Sequence, residues 1–353
     1  MMKIGIITPA NLWNCPYVDI YRRILDKEHI QYDIITWCRD GKDEVGCIQF
    51  KSQKIGNPIQ KFLSYFAFAS FLRKTIRANR YDKLIVFTPQ TGIFISSFLG
   101  KYYKHKYIFD YRDLSIEQKW YFKRPFLRLL DNSVANVISS PGFKKCLPKR
   151  EYLLSHNFDV NAVKNAIGKR ADTQFGTEDK IDVLTIGGIR DYSSNVQVLD
   201  ALANNARFNI RFVGKGGAAV LLEEHSKQHQ IKNVSFVGFY RKPEEAEYVR
   251  QATFMNIFYP RIITHDTALS NRFYNSLIFR KPMIVTKDTC QGDYAEKYNI
   301  GVAIKDCSNI ETELISFMRQ DYDGYADRCD KLLEGFLKDH ELFEKTVMSF
   351  IHS

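Results

Sequence analysis

Two stretches of this chain alternate short, β-branched apolar runs with segments of helical period, and a polar interval separates them. In the first stretch Ile4–Thr8, Tyr32–Trp37, Leu84–Thr88, Tyr107–Tyr111 and Val134–Ser139 read as strands, with helices near residues 17–29, 59–80, 92–104 and 116–131. The series resumes with Val183–Ile186, Asn209–Val213, Val234–Val237, Phe254–Phe258, Met283–Val285 and Gly301–Ile304, and a helical tail runs from about Glu311 to Ser353. Strands that alternate with helices predict mostly parallel sheets. Val160–Lys180 lacks a β pattern and reads as a connection. The expected organisation is α/β, with two doubly wound domains at 1–160 and 181–330, a linker at 161–180 and a last helix at 331–353. Ligands of such open sheets bind beyond the carboxyl ends of the strands, here expected in a cleft between the domains. The sequence shows no tandem repeat or low-complexity tract.

A length of 353 residues suits two cores of ordinary size, and a hydrophobic content of 45% is enough to fill both. The longest apolar run, Phe62–Leu72, is interrupted by Ser64 and Ser70, well short of the ~20 residues needed to cross a bilayer. Lys3–Thr8 leads directly into a strand rather than a signal peptide, so the expected location is the cytoplasm. The seven cysteines are scattered without a Cys-x-x-Cys pair, which argues against a disulfide framework or a zinc site.

Charge changes this picture. Residues 1–160 hold 26 Lys and Arg against 14 Asp and Glu, a net +12, while residues 161–353 hold 25 against 26. A basic domain attracts nucleic acid, anionic membrane or phosphorylated substrates. In Lys61–Phe68 and Lys119–Phe126 the cations are interleaved with aromatic residues, a mixture that suits an anionic lipid interface; two amphipathic helices with core aromatics would give the same pattern. No helix-turn-helix or RNA-binding signature accompanies the charge, so nucleic acid is not the expected partner.

The richest chemistry lies in residues 270–286. Ser270 is placed to cap a helix, Arg272 and Asn275 share one helical face, Phe273, Tyr274, Leu277 and Ile278 supply a packed face, and Arg280-Lys281-Pro282 stop the helix before the apolar run Met283–Thr286. A polar helix start of this kind can hold an anion. The segment resembles the donor-binding helix of GT-B glycosyltransferases, especially the retaining family four, with Arg272 at the basic position, Asn275 at the acidic one and Lys281-Pro282 in the turn before the strand. Two residues depart from that pattern: Asn275 stands for the acid that grips the ribose hydroxyls, and Thr267 for the acid eight residues earlier.

Other segments extend the resemblance. Thr185–Asn195 leaves a strand through Gly187-Gly188 and enters a helix, forming either a phosphate seat with Arg190 to neutralise the diphosphate or a plain tight turn. The resemblance implies donor contacts from Gly188, Arg190, Asn195, Asn271 and Asn275, from Lys215 in the Gly-rich turn Gly214–Gly217, and from Arg241 after Val237-Gly238. Phe109–Leu114 resembles the Asp-x-Arg-Asp-Leu segment of bacterial surface-polysaccharide transferases. Asp113 is then the carboxylate that orients or deprotonates an acceptor hydroxyl, or alternatively a helix cap. Arg112 would hold it or touch the acceptor, and Asn11 in the loop after the first strand would also contact acceptor. Ser155–Asp159 resembles the element closing the first domain of such enzymes, in which the final helix packs back on that domain.

The His225/His229 pair, Asp321-Tyr322-Asp323 and His265-Asp266 are weaker features, read respectively as a surface pair, a solvated loop, and a sugar contact or turn cap. The expected activity is transfer of a sugar from a nucleoside diphosphate donor to a hydroxyl of a lipid-linked glycan, with retention, in capsule, O-antigen or exopolysaccharide synthesis. Neither metal nor cofactor is expected, the leaving diphosphate being stabilised by Arg190, Lys215 and Arg272, with Asp113 on the acceptor side. The enzyme would sit on the inner face of the cytoplasmic membrane. The alternative is a GT-B protein that binds a partner without catalysis, suggested by Thr267 and Asn275.

Overall fold

A computed structural model describes residues 2–39, 41–52, 57–170 and 180–353. The chain divides into two compact units. The first comprises residues up to Ser139, Pro148–His156 and Asp339–Ser353; the second comprises Ser140–Leu147 and Asn157–Lys338. Residues 171–179 of the expected linker lie outside the described residues. Val160–Ala166, expected to be part of that connection, form a short helix capped by Asp159, whose Oδ1 accepts from the Ala162 N–H at 3.0 Å.

The first unit is built on seven strands: β1 (Lys3–Ile7), β2 (Gln31–Cys38), β3 (Cys47–Lys51), β4 (Lys83–Phe87), β5 (Tyr107–Tyr111), β6 (Ala135–Ile138) and β7 (Leu153–Leu154). Their order is β3-β2-β1-β4-β5-β6-β7 and every pairing is parallel. β4 and β5 are buried throughout, as expected for interior strands covered on both faces. The edge strand β3 and the two-residue β7 carry weaker patterns; Cys47-Ile48-Gln49-Phe50-Lys51 is only half buried and its composition does not distinguish it from a loop. Ile4, Ile6, Tyr21, Ile85 and Phe87 share a core with Phe343, Val347, Phe350 and Ile351 from the chain end. The buried Lys83 ammonium donates to the carbonyls of Phe350 and Ile351 and to Ser353 Oγ, placing a cation on the negative end of the last helix.

Six parallel strands form the second unit: β8 (Ile181–Ile186), β9 (Phe208–Val213), β10 (Val234–Val237), β11 (Phe254–Ile257), β12 (Met283–Thr286) and β13 (Gly301–Ile304). Their order, β10-β9-β8-β11-β12-β13, reverses direction between β8 and β11, so the two crossovers from these strands leave on opposite sides and open a crevice at their carboxyl ends. Tyr325, Cys329, Leu333 and Phe336 close this core from the helix Tyr322–His352. None of the seven cysteines forms a disulfide.

The loops after β8 and β9 pack backbone against backbone. Ile189 donates to the Lys215 carbonyl at 3.1 Å, and a Cβ on Gly214 would lie 2.0 Å from the Gly187 oxygen. Gly214 also has φ +131°, a conformation that excludes side chains on steric grounds. A Cβ on Gly216 would likewise lie 1.9 Å from the Ile189 oxygen, so Gly214 and Gly216 are needed for loop packing independently of any ligand. Gly214→Ala is expected to lower unfolding free energy by about 3 kcal/mol or more, read by urea denaturation; an unchanged midpoint would refute this account of the turn.

Candidate functional site

Helix Asn271–Ile278 begins where Ser270 Oγ accepts from the Phe273 N–H at 3.3 Å, and it buries Phe273, Tyr274 and Leu277. It ends at Arg280, which adopts φ +54° and lets the Lys281 N–H return to the Ser276 carbonyl at 2.8 Å. Glycine usually takes such a position. Arg280 is held there by the Ala166 carbonyl at 2.8 Å and by an ion pair with Asp330.

The packed face fixes where Arg272 goes. It is 8% exposed, and its guanidinium donates to the carbonyls of Ile186, Gly188 at 3.2 Å and Asn256 at 3.4 Å, with the Tyr259 ring 5.6 Å away. These acceptors stand at or just beyond the carboxyl ends of β8 and within β11, so the cation sits at the strand-order reversal. Among the described residues no carboxylate pairs with it. Carbonyl dipoles satisfy its N–H groups without cancelling its net charge, and the positive field is left for an anion.

Arg272 lines a cavity of about 480 Å³ contained in the second unit. Gly187, Gly188 and Arg190 come from the loop after β8; Tyr240, Lys242 and Glu245 follow β10; Tyr259 and His265 follow β11. Asp191, from the loop after β8, and Ser270, Asn271, Asn275 and Gln291 complete the polar lining. Arg190 is exposed, and Asn271 Oδ1 accepts from Asn157 Nδ2 at 2.8 Å. Asn275 donates to Glu245 Oε1 at 2.9 Å; Glu245 also accepts from the Tyr240 hydroxyl at 2.6 Å and pairs with Lys242. Burial pushes the Glu245 carboxyl up, but its hydrogen bonds from Lys242, Tyr240 and Asn275 outweigh burial and hold it below the usual carboxylate range.

Three of the sequence-derived donor contacts are not part of that lining. Asn195 is buried and supports the site from behind: its Oδ1 accepts from Asn256 Nδ2 at 3.1 Å, and Asn256 Nδ2 also reaches Thr185 Oγ1 at 2.9 Å. Lys215 is exposed, 5.6 Å from the Phe239 ring centre. Arg241 is exposed and paired with Glu244 at 2.6 Å. His265 lines the cavity and its ring lies 4.9 Å from that of Tyr259, while Asp266 pairs with Arg261 at 2.9 Å. Sequence reasoning did not single out Tyr240, Glu245, Tyr259 or Gln291. Glu245 belongs to an ordinary acidic helix start, and nothing local marks it as facing a cavity.

In the first unit, the end of β5 carries a buried ion pair. Asp110 is 0% and Arg112 5% exposed; Arg112 Nη2 donates to Asp110 Oδ2 at 2.6 Å, which also accepts from the Tyr21 hydroxyl at 2.8 Å. Arg112 Nη1 and Nη2 reach Ser155 O and Oγ at 2.9 and 3.0 Å, and the guanidinium lies 5.0 Å from the Tyr17 ring centre. Arg112 thus braces the strand end through Asp110. Asp113 is exposed, and among the described residues no hydrogen bond or ion pair joins it. Desolvation by the surrounding protein still pushes its carboxyl up; Arg112 opposes this and Glu117 adds to it. Asn11 is buried, with Nδ2 3.4 Å from the Lys42 carbonyl.

The weaker features have local partners. His225 bridges Asp200 at 2.6 Å and Tyr192 at 3.1 Å, its ring stacked 4.0 Å from His229. Asp321 Oδ2 accepts from the Gly324 N–H at 2.6 Å and Asp323 pairs with Arg170 at 3.6 Å. Among the described residues no His, Cys, Asp and Glu cluster of three or more could hold a metal ion, and no helix is long and apolar enough to cross a membrane.

Neither a family model nor a curated protein sequence matches the chain. Solved structures do. Sucrose-phosphate synthase from Thermosynechococcus elongatus is similar over 99% of this chain and 100% of its own, at 13% identity and TM-score 0.68. The lipopolysaccharide outer core galactosyltransferase WaaB, in its apo form, is similar over 99% of both chains at 12% identity and TM-score 0.68. HepE from Anabaena, in complex with UDP and glucose, is similar over 99% of this chain and 100% of its own at 11% identity and TM-score 0.66. Two all-parallel sheets with Rossmann-like strand order, shared along nearly the whole chain with these proteins, give this chain the GT-B fold of glycosyltransferases.

Proposed function

We propose that the chain transfers a glycosyl group from a nucleoside diphosphate sugar to a hydroxyl. The observation that carries this reading is the Arg272 guanidinium, buried at the strand-order reversal and facing the cavity without a carboxylate partner. As the bond between the anomeric carbon and the diphosphate oxygen breaks, negative charge grows on the leaving group. Arg272, with Arg190 and the amides of the loop after β8, would stabilise that charge without a metal. Glu245, kept ionised and oriented by Asn275, would accept from the ribose hydroxyls, the part that the resemblance assigns to an acid at position 275. The UDP and glucose held by HepE support this assignment of the donor.

The acceptor side rests on Asp113, which would take the proton of the attacking hydroxyl. Retention of configuration, a lipid-linked glycan acceptor and a place in surface-polysaccharide assembly belong to the same reading. A lipid-linked acceptor implies a membrane surface, and the first unit has one feature suited to it. The rings of Phe62 and Phe66 meet Phe94, which meets Phe122, and Tyr121 and the 84% exposed Trp120 continue the row. Neither helix Pro58–Asn79 nor residues 118–130 contains an acidic residue, while Lys119, Lys123 and Arg124 are exposed beside the rings. Aromatic faces flanked by unopposed cations suit the headgroup region of an anionic bilayer.

Titration calorimetry with UDP and GDP tests the donor site. Binding of one of them is expected, with affinity reduced by about 30-fold or more in Arg272→Ala, and with preference for the ribo- over the 2′-deoxynucleotide lost in Glu245→Gln. A wild-type chain that binds neither nucleotide, in the diphosphate or sugar form, would sink the transferase reading.

The pH dependence of turnover tests Asp113. Its carboxyl is raised, so the base becomes protonated, and turnover falls, at a pH above the ~4 of an ordinary carboxylate. Asp113→Asn should abolish that acid limb and most of the activity; an unchanged limb would exclude this role.

Co-sedimentation with vesicles tests the surface. Phosphatidylglycerol-containing vesicles should retain the chain and pure phosphatidylcholine should not, with retention weakened by salt and by the double substitution Phe66→Ala/Trp120→Ala. Equal retention on both vesicle types would discount the charge argument.

A further inference from the structure

Gln291 is 3% exposed yet lines the cavity, and nothing in the proposed transfer employs it. It sits in the first turn of helix Cys290–Tyr298, which is fixed at its start by Thr289 Oγ1 accepting from the Gly292 N–H at 3.0 Å. Its Oε1 accepts from the Ser270 N–H at 3.0 Å and the Ser270 hydroxyl at 2.8 Å. A backbone N–H can only donate, so the carboxamide oxygen must face Ser270 and the NH2 must face away from it. Among the described residues that NH2 has no hydrogen-bond partner. A carboxamide held in one orientation presents its two donors to the cavity, where an occupant supplies their acceptor.

The position along helix Asn271–Ile278 says which part of an occupant this is. Ser270 caps the helix, Arg272 lies in its first turn, and Asn275 with Glu245 lies five residues beyond Ser270, ~7.5 Å along the axis. Polar groups therefore run in the order carboxamide donor, cation, carboxylate. A nucleoside diphosphate sugar presents hydroxyls, a dianionic bridge and a ribose diol in the matching order.

We propose that Gln291 recognises the glycosyl half of the donor, its amide N–H groups donating to a hydroxyl oxygen of the sugar joined to the diphosphate. This rests on the nucleotide-sugar reading of the cavity. Gln291 is then a specificity-determining residue, because a sugar lacking that hydroxyl would leave the carboxamide unpaired.

The test is the ratio of affinities for a nucleotide sugar and its parent diphosphate, measured by titration calorimetry on the full chain with UDP, GDP and a panel of their glucose, galactose and mannose derivatives. Gln291→Glu keeps an oxygen toward Ser270 and removes the donors; Gln291→Met removes both without adding charge. Both variants are expected to fold, by circular dichroism, and to lower the ratio about tenfold for the preferred sugar. The monodeoxy form of that sugar, lacking the recognised hydroxyl, should bind the wild type and Gln291→Met alike. If diphosphate and nucleotide sugar weaken equally in both variants, Gln291 touches phosphate or only braces Ser270, and the inference is overturned. If the wild type binds no diphosphate at all, the underlying reading of the cavity fails as well.

Discussion

A single guanidinium organises the second unit's ligand-facing end. Arg272 ties the end of β8 to β11 by donating to Ile186, Gly188 and Asn256, and the same carbonyls hold it in one place before any ligand arrives. Asn256 is itself fixed from behind, by Thr185 and Asn195. An arginine free in solvent would lose much of its side-chain entropy on binding, roughly 2 kcal/mol. Here that loss is met in folding, so attraction for an anion is undiminished by ordering the side chain. The absence of a carboxylate partner among the described residues matters equally, since an ion pair would cancel the field that the buried position makes strong.

Glu245 is the apparent contradiction in such a site. Two charges ~8 Å apart at an effective dielectric of 20 interact by about 2 kcal/mol, so an ionised carboxylate beside a bound dianion carries a cost. Lys242 offsets part of it, although this lysine is mostly exposed and solvent screens the pair. What remains is offset only if the carboxylate gains hydrogen bonds from the occupant. Hydroxyls supply them and phosphates cannot, which is why a ligand joining a polyol to a diphosphate fits both groups better than a simple anion would. The position is also unusual in its delivery: Asn275 presents no charge of its own and instead orients an acid from a helix 30 residues earlier.

The alternation of apolar runs with helical segments was enough to anticipate eleven of the thirteen strands among the described residues, including Tyr107–Tyr111, Val234–Val237 and Gly301–Ile304 at their observed bounds. It failed at β3 and β7, where edge position removes the hydrophobic signal that burial imposes on interior strands. Within the site, Arg272 and Asn275 were legible because helical spacing places them on one face opposite a packed one. Loop residues were legible only in part, with Gly188 and Arg190 lining the cavity as expected. Lys215 and Arg241 follow strands as Arg190 does, but neither lines the cavity, because the glycine-mediated packing of the two loops and a local Glu244 pair direct them elsewhere. Asn195 was read as a ligand contact from the resemblance; its side chain meets the need of buried Asn256 for an acceptor, a demand visible only once β11 is beside β8. Glu245 and Gln291 had no sequence signal, since each acquires its orientation from residues distant in the chain.

The first unit handles charge at a strand end in the opposite way. Asp110 at the end of β5 is wholly buried, and an unpaired carboxylate there would be costly or neutral. Arg112 and Tyr21 give it charged and hydrogen-bonding partners, and the Ser155 carbonyl and hydroxyl accept from the guanidinium in turn. Removing Arg112 would therefore strand a buried charge, so loss of function in such a variant reports on folding before it reports on chemistry. Asp113, one residue further, escapes this network: it is exposed, without a hydrogen-bonding or ionic partner among the described residues, and its carboxyl is raised because the surrounding protein disfavours its charge more than Arg112 favours it. A carboxylate left unpaired while its neighbours neutralise one another is more basic than one engaged by an arginine, and basicity is what proton transfer from a hydroxyl demands. In the proposed transfer the Asp-x-Arg-Asp order would separate two tasks, with Asp110 and Arg112 securing the strand end so that Asp113 would be left for the acceptor.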